Sequence, residues 1–152
     1  FRFERRIIIM GKISVVYWSQ SGNTLAMAEA IGKGITDGGA QAEVVNVSSC
    51  QVSDLDTEEV FALGCPAMGA EVLEESEMEP FVAELEGNVK GKKIALFGSY
   101  GWGDGQWMRD WEERMISAGA TVVNGEGLIC QEAPDGDVIS ECESLGKQLA
   151  GM

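Results

Sequence analysis

A polar loop with the composition of a phosphate-binding site follows the first apolar run of the chain. The run ends Val-Val-Tyr-Trp at residues 15–18, and residues 19–24 read Ser-Gln-Ser-Gly-Asn-Thr. Hydroxyls and backbone N–H groups of such a loop can surround a phosphate at the positive end of the helix that follows. The basic residues nearest in the sequence are Lys12 and Lys33, so the phosphate would be held by hydrogen bonds without a basic side chain. This pattern favours the tail of a tightly bound cofactor over a phosphoryl substrate.

Two further loops rich in glycine carry side chains suited to a flat ligand. Residues 64–71 read Gly-Cys-Pro-Ala-Met-Gly-Ala-Glu, and residues 98–104 read Gly-Ser-Tyr-Gly-Trp-Gly-Asp. Trp102 lies between two glycines that cannot cover its ring, so the ring is available to stack on a planar partner. Gly69 can turn its peptide over at little cost, because positive φ is accessible to glycine. Taken without the other loops, Met68 is explained as core filler and Glu71 as a solvated charge.

The charge of the chain favours protein partners over nucleic acid. The net charge is −14. Between Lys33 and Lys90 there is no basic residue, whereas thirteen Asp and Glu residues lie in that interval. Nucleic-acid binding needs cations that neutralise phosphates, so this imbalance argues against it. An acidic surface instead favours docking on basic protein surfaces, with simple solubility as the alternative explanation.

The histidine and cysteine content excludes several kinds of site. The chain has no histidine, which excludes Ser-His-Asp and Cys-His mechanisms and removes the commonest metal ligand. No two cysteines have Cys-x-x-Cys spacing, so a zinc site or an iron–sulfur cluster is not expected. Cys65 ends an apolar run and is predicted to be a packed thiol. The remaining cysteines are Cys50, Cys130 and Cys142.

The first nine residues differ in composition from the rest of the chain. They contain Arg2, Arg5 and Arg6, and they precede Met10-Gly11-Lys12, which reads as a natural start. We therefore expect residues 1–9 to be a leader or an expression-derived extension, and residues 10–152 to form one domain. No stretch approaches the length of a transmembrane span, so a cytoplasmic location is expected.

The elements that must position the three loops alternate between strands and helices. Trp107, Trp111 and Met115 recur at helical spacing and are predicted to be core residues. Five apolar strands separated by helices indicate a three-layer, doubly wound parallel sheet, whose ligands bind beyond the carboxyl ends of the strands. The predicted strands are residues 12–18, 42–47, 59–65, 92–98 and 121–130, the last interrupted near Gly125. The predicted helices are residues 23–37, 79–85 and 104–118, and a last helix from residue 135 or 136 to residue 149.

The three loops, in this order and at these strand ends, resemble those of the flavodoxins, and most closely the short-chain flavodoxins of anaerobic bacteria. The resemblance runs from Met10 to the carboxyl terminus. It implies a flavodoxin-like α/β fold with strand order 2-1-3-4-5 and one non-covalently bound FMN. It also implies a low-potential one-electron carrier that cycles between semiquinone and hydroquinone. Such a protein has no catalytic side chain, no metal and no substrate of its own.

The resemblance assigns roles to residues of the first two loops. In residues 19–24, hydroxyls and N–H groups would hold the FMN phosphate. In residues 64–71, Met68 would pack on the ring and Glu71 would accept a hydrogen bond from flavin N3–H. The peptide after Met68 would rotate at Gly69 on one-electron reduction and stabilise the semiquinone. The full set of cofactor-binding residues implied is Trp18, Ser19, Gln20, Ser21, Gly22, Asn23, Thr24, Pro66, Ala67, Met68, Gly69, Ala70, Glu71, Ser99, Tyr100, Gly101, Trp102, Gly103 and Asp104.

In the third loop, Trp102 would stack on the flavin and lower the second reduction potential, while Trp18 would shield the ribityl chain. Ser99 and the backbone near Tyr100 and Gly101 would reach the ribityl chain or the pyrimidine edge. An acidic run beside the flavin would also lower that potential and present a rim to basic redox partners, although a solvated helix start explains it equally well. The run is Glu71, Glu74, Glu75, Glu77 and Glu79.

Other classes that share parts of this pattern lack their defining residues. A receiver domain needs carboxylates after the first strand and an Asp ending the third, where this chain has Trp18-Ser19 and Gly64-Cys65. Neither a P-loop nor a dinucleotide-binding glycine motif is present. The remaining alternative is an FMN-dependent NAD(P)H or quinone reductase on the same scaffold. The compact chain favours the electron carrier, as a monomer.

Overall fold

The computed structural model of the protein describes residues 12–69 and 71–152. The predicted extension at residues 1–9 and the predicted cofactor contact of Ala70 lie outside these described residues. The strands are β1 (Lys12–Tyr17), β2 (Gln41–Asn46), β3 (Val60–Gly64), β4 (Lys93–Tyr100), β5 (Thr121–Val122) and β6 (Leu128–Gln131), and the helices are α1 (Asn23–Asp37), α2 (Met78–Leu85), α3 (Gln106–Ser117) and α4 (Gly136–Ala150).

All strand pairs in the sheet are parallel, and the strand order is β2-β1-β3-β4-β5, with β6 also pairing with β4. The predicted fold class and strand order are therefore confirmed. Parallel strands joined by helices must bury both faces of the sheet, and the continuous apolar runs of β1, β3 and β4 supply that burial. Helices α2 and α3 cover one face, and α1 and α4 cover the other.

The side chains predicted for the core lie there. Trp107, Trp111 and Met115 of α3 are buried against the face formed with α2. Cys65 is also buried, and burial raises the pKa of its thiol to about 12. At pH 7 this thiol is protonated and unreactive, which agrees with its predicted packing role.

On the opposite face, α1 and α4 approach closely because glycines face the partner backbone. A Cβ added to Gly34 would lie 2.0 Å from the carbonyl oxygen of Glu143, and one added to Gly146 would lie 2.1 Å from that of Ile31. Any side chain at these positions would force the helices apart. The two glycines therefore fix the position of α1 against α4. The amino end of α1 borders the first loop.

The fifth strand is divided in two, as its interruption near Gly125 predicted. Asn124 and Gly125 have positive φ values of 66° and 79°, and pairing with β4 stops after Val122 and resumes at Leu128. Glu112 of α3 accepts a hydrogen bond from Gly127 N at 2.7 Å, and the side-chain amides of Asn124 and Gln148 hydrogen-bond to each other. A cleft of about 770 Å³ opens beside this break, lined in part by Met108 and Leu145. Residues 19–24 and 64–71 do not line this cleft.

Several predicted boundaries differ from the structure, and the end of β4 matters for the site. We predicted that β4 ends at residue 98, but it continues to Tyr100 because Ser99 and Tyr100 pair with Cys130 and Gln131 of β6. The helices α2 and α3 begin at Met78 and Gln106, whereas starts at residues 79 and 104 were predicted. Within the described residues, no helix has the length and apolarity needed to cross a membrane.

Candidate functional site

The loops that follow β1, β3 and β4 meet at the carboxyl edge of the sheet and are joined by hydrogen bonds. Trp18 N donates to the carbonyl oxygen of Gly64 at 3.0 Å, and Ala67 N donates to that of Ser99 at 3.0 Å. The hydroxyls of Thr24 and Ser99 lie 3.3 Å apart. The three segments singled out in the sequence therefore form one continuous surface, as expected for strand ends of a parallel sheet.

In the first loop, the backbone and one hydroxyl prepare the amino end of α1. Ser19 Oγ accepts hydrogen bonds from the backbone N–H groups of Gly22 at 3.2 Å and of Leu25 at 3.3 Å. Because Ser19 Oγ only accepts in these contacts, its own proton remains available to a ligand. Gly22 has a φ of 95°, and a Cβ there would meet no atom within 4 Å. The loop is thus an open turn that leads into the first-turn N–H groups of Asn23 and Thr24.

The side chains of the first loop differ in accessibility. Gln20 and Ser21 are exposed, whereas Thr24 is buried and its hydroxyl is engaged with Ser99. One of these two hydroxyls donates its proton to the other. The acceptor's own proton and the donor's lone pairs stay available to other partners. Thr24 therefore joins the first loop to β4.

The second loop reverses direction within three residues. Met68 and Val72 exchange two backbone hydrogen bonds, of 2.9 Å and 3.1 Å. Gly69, between them, has a φ of 39°, is exposed, and has no atom within 4 Å of a built Cβ. A side chain at residue 69 would therefore meet no neighbour, and rotation of the Met68–Gly69 peptide would break the hydrogen bond from Val72 N to the Met68 carbonyl. Pro66, Ala67 and Met68 are half-buried and lead from β3 into this reversal.

Glu71 ends the reversal in a strained backbone conformation and reaches the third loop. Its φ of 57° is uncommon for a residue with a Cβ. Glu71 Oε1 accepts a hydrogen bond from Gln106 N, the first residue of α3, at 3.2 Å. A Cβ on Gly103 would lie 2.5 Å from this carboxylate. Glycine at residue 103 therefore allows the third loop to pack directly on the Glu71 carboxylate.

The third loop holds an exposed aromatic ring on a supported backbone. Trp102 is 67% exposed, although large apolar side chains usually lie inside. Behind it, Glu132 N donates to the Tyr100 carbonyl at 2.8 Å, and Gln131 Nε2 donates to the Gly101 carbonyl at 3.2 Å. The ring of Tyr100 packs on that of Trp107 in the core, with the ring centroids 5.6 Å apart. The exposure of Trp102 is therefore not a consequence of a detached loop.

After Trp102, the third loop turns into α3. Asp104 is exposed, and both its carbonyl and its carboxylate accept hydrogen bonds from Arg109, at 3.0 Å and 3.1 Å. These contacts tie the end of the loop to the first turns of α3. Nothing in them points Asp104 toward the other two loops.

The acidic run divides into structural and exposed carboxylates, which corrects the expectation that all five form a rim. Glu74 is buried and accepts hydrogen bonds from the N–H groups of Ser76, Glu77 and Met78, which lead into α2. Burial raises the pKa of Glu74, but these bonds and one from the Ser76 hydroxyl outweigh it, so its pKa lies below the ordinary value. This carboxylate caps the start of α2 and does not face a partner.

Two other members of the run also have partners within the protein. Glu79 pairs with Arg114 of α3, and that hydrogen-bonded guanidinium lowers the pKa of Glu79. Glu77 Oε1 accepts a hydrogen bond from Trp18 Nε1 at 3.1 Å, which fixes the indole beside the first loop. The contacts of Glu77 and Glu79 could not be predicted from local sequence because their partners, Trp18 and Arg114, lie on other elements, whereas the contacts of Glu74 are local. Glu71 is half-buried, and Glu75 and Glu77 are exposed.

The match of the chain to known proteins decides its family. Residues 15–145 match the family model described as Flavodoxin. The chain belongs to the flavodoxin family. It is 51% identical over 140 residues to the flavodoxin of Clostridium beijerinckii, covering 92% of this chain and all of that protein. It is 46% identical over 138 residues to the flavodoxin of Megasphaera elsdenii, covering 91% of this chain and 98% of that protein.

Solved structures agree with this membership of the flavodoxin family. The solution structure of two-electron-reduced M. elsdenii flavodoxin is similar with a TM-score of 0.84 and 45% identity, covering 92% of this chain and 99% of that one. The predicted flavodoxin resemblance is therefore confirmed. Flavodoxins are flavin-binding electron carriers, and this function agrees with the geometry of the three loops. The reductase alternative is not favoured.

Proposed function

We propose that this flavodoxin transfers single electrons through one non-covalently bound FMN that lies across the three loops. The observation that carries the proposal is the exposed ring of Trp102, held by a backbone that β6 and Glu71 support. An apolar ring kept in solvent on a rigid support is suited to cover a flat ligand. When bound, FMN supplies the redox chemistry, and the protein sets its orientation and potential.

The first loop is suited to the phosphate of this cofactor. The proton of Ser19 Oγ, the exposed hydroxyl of Ser21 and the first-turn N–H groups of α1 are donors that need no cation. Gly22 leaves the approach open, because no atom lies above it. Trp18, fixed by Glu77, would line the side of the ribityl chain.

The second and third loops are suited to the ring. Trp102 would stack on one face, and Met68 would pack on the other side of the site. The peptide after Met68 would rotate at Gly69 when one electron is added and turn its carbonyl toward the ring, and residue 69 has no side chain to hinder that turn. The remaining residues of the loops, from Pro66 to Glu71 and from Ser99 to Asp104, would complete the contacts.

The exposed carboxylates beside the site support basic redox proteins as partners. Glu75 and Glu77 are exposed, and Glu71 is half-buried at the same edge. Their negative field would steer a basic surface toward the flavin and would disfavour additional negative charge on it. We infer a monomeric, cytoplasmic carrier without an enzymatic substrate of its own.

A stepwise anaerobic reduction of the protein with FMN, followed by visible spectroscopy, tests the proposal. The expected result is stoichiometric FMN binding and a long-wavelength band of one-electron-reduced flavin before full bleaching. Direct bleaching to the two-electron-reduced form, together with NAD(P)H oxidation by the protein alone at enzyme-like rates, would instead support the reductase. If FMN does not bind, the cofactor assignment is wrong.

A further inference from the structure

Glu71 connects the second and third loops, which are far apart in the sequence. It belongs to the reversal closed by Met68 and Val72, and its carboxylate accepts the hydrogen bond of Gln106 N at 3.2 Å. Gln106 begins α3, directly after the loop that carries Trp102. We call this hydrogen bond, with the packing of Gly103 on the same carboxylate, the Glu71 bridge. We propose that Glu71 is a positioning residue that sets the separation of the second and third loops before any cofactor binds.

The chemistry of the Glu71 bridge favours a stable contact that holds the two loops at a fixed distance. Gln106 N is one of the first-turn N–H groups of α3, which have no acceptor within their own helix. A carboxylate is the favoured acceptor there, because the helix amino end is positive and the bond is charge-assisted. The positive φ of Glu71 directs the side chain across the gap at a conformational cost. Because Glu71 holds this unfavourable conformation while making the contact, we infer that the contact contributes to the arrangement of the two loops.

The packing of Gly103 makes the bridge specific. A Cβ there would lie 2.5 Å from Glu71 Cδ and 2.5 Å from Oε1. Because the carboxylate is the end of a flexible side chain, a substitution would displace it without changing the sheet. The bridge can thus be broken from either side, at Glu71 or at Gly103.

The consequence concerns the space between Gly69 and Trp102, in which the proposed flavin ring would lie and which we call the slot. Gly69 lies two residues before Glu71, and Trp102 lies one residue before Gly103. A carboxylate that holds both segments would limit how far they move relative to each other, so less rearrangement is needed when a flat ring binds between them. This consequence rests on the proposed function, whereas the bridge itself does not.

Amide hydrogen exchange of the flavin-free protein, measured by NMR, tests the bridge without the cofactor. In Glu71→Ala, exchange at Gln106 N–H should accelerate about tenfold or more, the scale of losing a hydrogen bond to a charged acceptor. Glu71→Gln keeps an acceptor oxygen and should restore most of the protection. Glu75→Ala, which removes the same charge from an exposed neighbour, should leave Gln106 unchanged. Equal Gln106 exchange in Glu71→Ala and the wild type would overturn the proposal.

A second pair of variants tests the effect on the slot by titration with FMN. Gly103→Ala should weaken binding about tenfold or more relative to Gly91→Ala, and it should accelerate Gln106 exchange. Gly91 is a matched control because its φ of 83° imposes similar strain while nothing lies within 4 Å of its Cβ. Equal FMN affinity of the two variants would show that the bridge does not set the slot. Failure of the wild type to bind FMN would instead refute the proposed function and leave the exchange result standing.

Discussion

The amino and carboxyl ends of the sheet differ in how far their polar groups are already hydrogen-bonded within the protein. At the amino end, Glu58 is buried and accepts hydrogen bonds from Ser14 N at 2.8 Å and Ser14 Oγ at 2.6 Å. Lys92 Nζ donates there to three carbonyls, those of Leu55, Asp56 and Glu58, at 2.7 to 3.0 Å. At the carboxyl end, Gly22 and Gly69 leave open space, and the indole of Trp102 stays in solvent. One end is closed by its own contacts, and the other leaves groups for a ligand.

The difference also appears in the backbone. Among the described residues, three with a Cβ have positive φ: Glu71 and Glu132 lie at the carboxyl end beside the three loops, and Asn124 lies at the break in the fifth strand. Such conformations cost about 1 to 3 kcal/mol each and persist where the surroundings enforce them. Open surface and available donors thus lie at the site, and each end also holds one buried, hydrogen-bonded carboxylate, Glu58 at the amino end and Glu74 beside the site. The predictions below test whether the two ends are separable in this way.

The largest effect is expected at the site, from Trp102→Ala. Removing the stacking ring should cost about 2 to 3 kcal/mol of FMN binding free energy, or about 30- to 150-fold in Kd. It should also raise the second reduction potential, while the thermal stability of the flavin-free protein stays unchanged. Fluorescence titration and potentiometry measure these quantities. Ile116→Ala, at an exposed apolar position of α3, is the control and should bind FMN normally. An unchanged potential in Trp102→Ala would refute the stacking role.

The converse is expected at the amino end, from Glu58→Ala. Loss of the carboxylate leaves two buried donors of Ser14 without their acceptor, so unfolding free energy should fall by about 2 kcal/mol. Urea denaturation of the flavin-free protein measures this loss. Exposed Glu59→Ala should change little. The FMN affinity of folded Glu58→Ala should equal that of the wild type, and a large loss of affinity would show that the two ends are coupled.

A smaller effect is expected from Gly69→Val, which hinders the peptide rotation. The first reduction potential should fall by about 60 mV, equivalent to about 1.4 kcal/mol for one electron, and less one-electron-reduced flavin should accumulate. Spectroscopic redox titration measures both. Gly39→Val is the control, because its φ is 99°, its surroundings are also open, and it lies after α1 away from the site. A wild-type yield in Gly69→Val would place the switch at another residue.

The smallest effect concerns acid stability and Glu74. Its pKa is lower in the folded protein than in the unfolded chain, where it is about 4.3. The stabilisation by this carboxylate is therefore complete above that value and is lost as the pH falls through the lower, folded pKa. Glu74→Gln should remove about 1 kcal/mol near pH 7 and flatten the decline below pH 4.3. Parallel unfolding curves of mutant and wild type across this range would contradict the capping role.

Much of this molecule follows from local sequence patterns. The apolar runs predicted the parallel sheet, the helical spacing of Trp107, Trp111 and Met115 predicted their burial, and Gly125 predicted the break in the fifth strand. The order of the three loops predicted the family, and their positions at strand ends predicted that they converge. These features depend on residues that are close in sequence or on rules of chain connection, so they can be read without coordinates.

The tertiary structure alone decided which polar groups meet. Ser99 and Tyr100 belong to β4 because β6 pairs with them. The bonds from Trp18 to Glu77 and from Gln106 to Glu71 span 59 and 35 residues. No local pattern specifies such pairs, since hydrogen bonding requires a few ångströms of accuracy between segments whose relative positions are set only by the packed core.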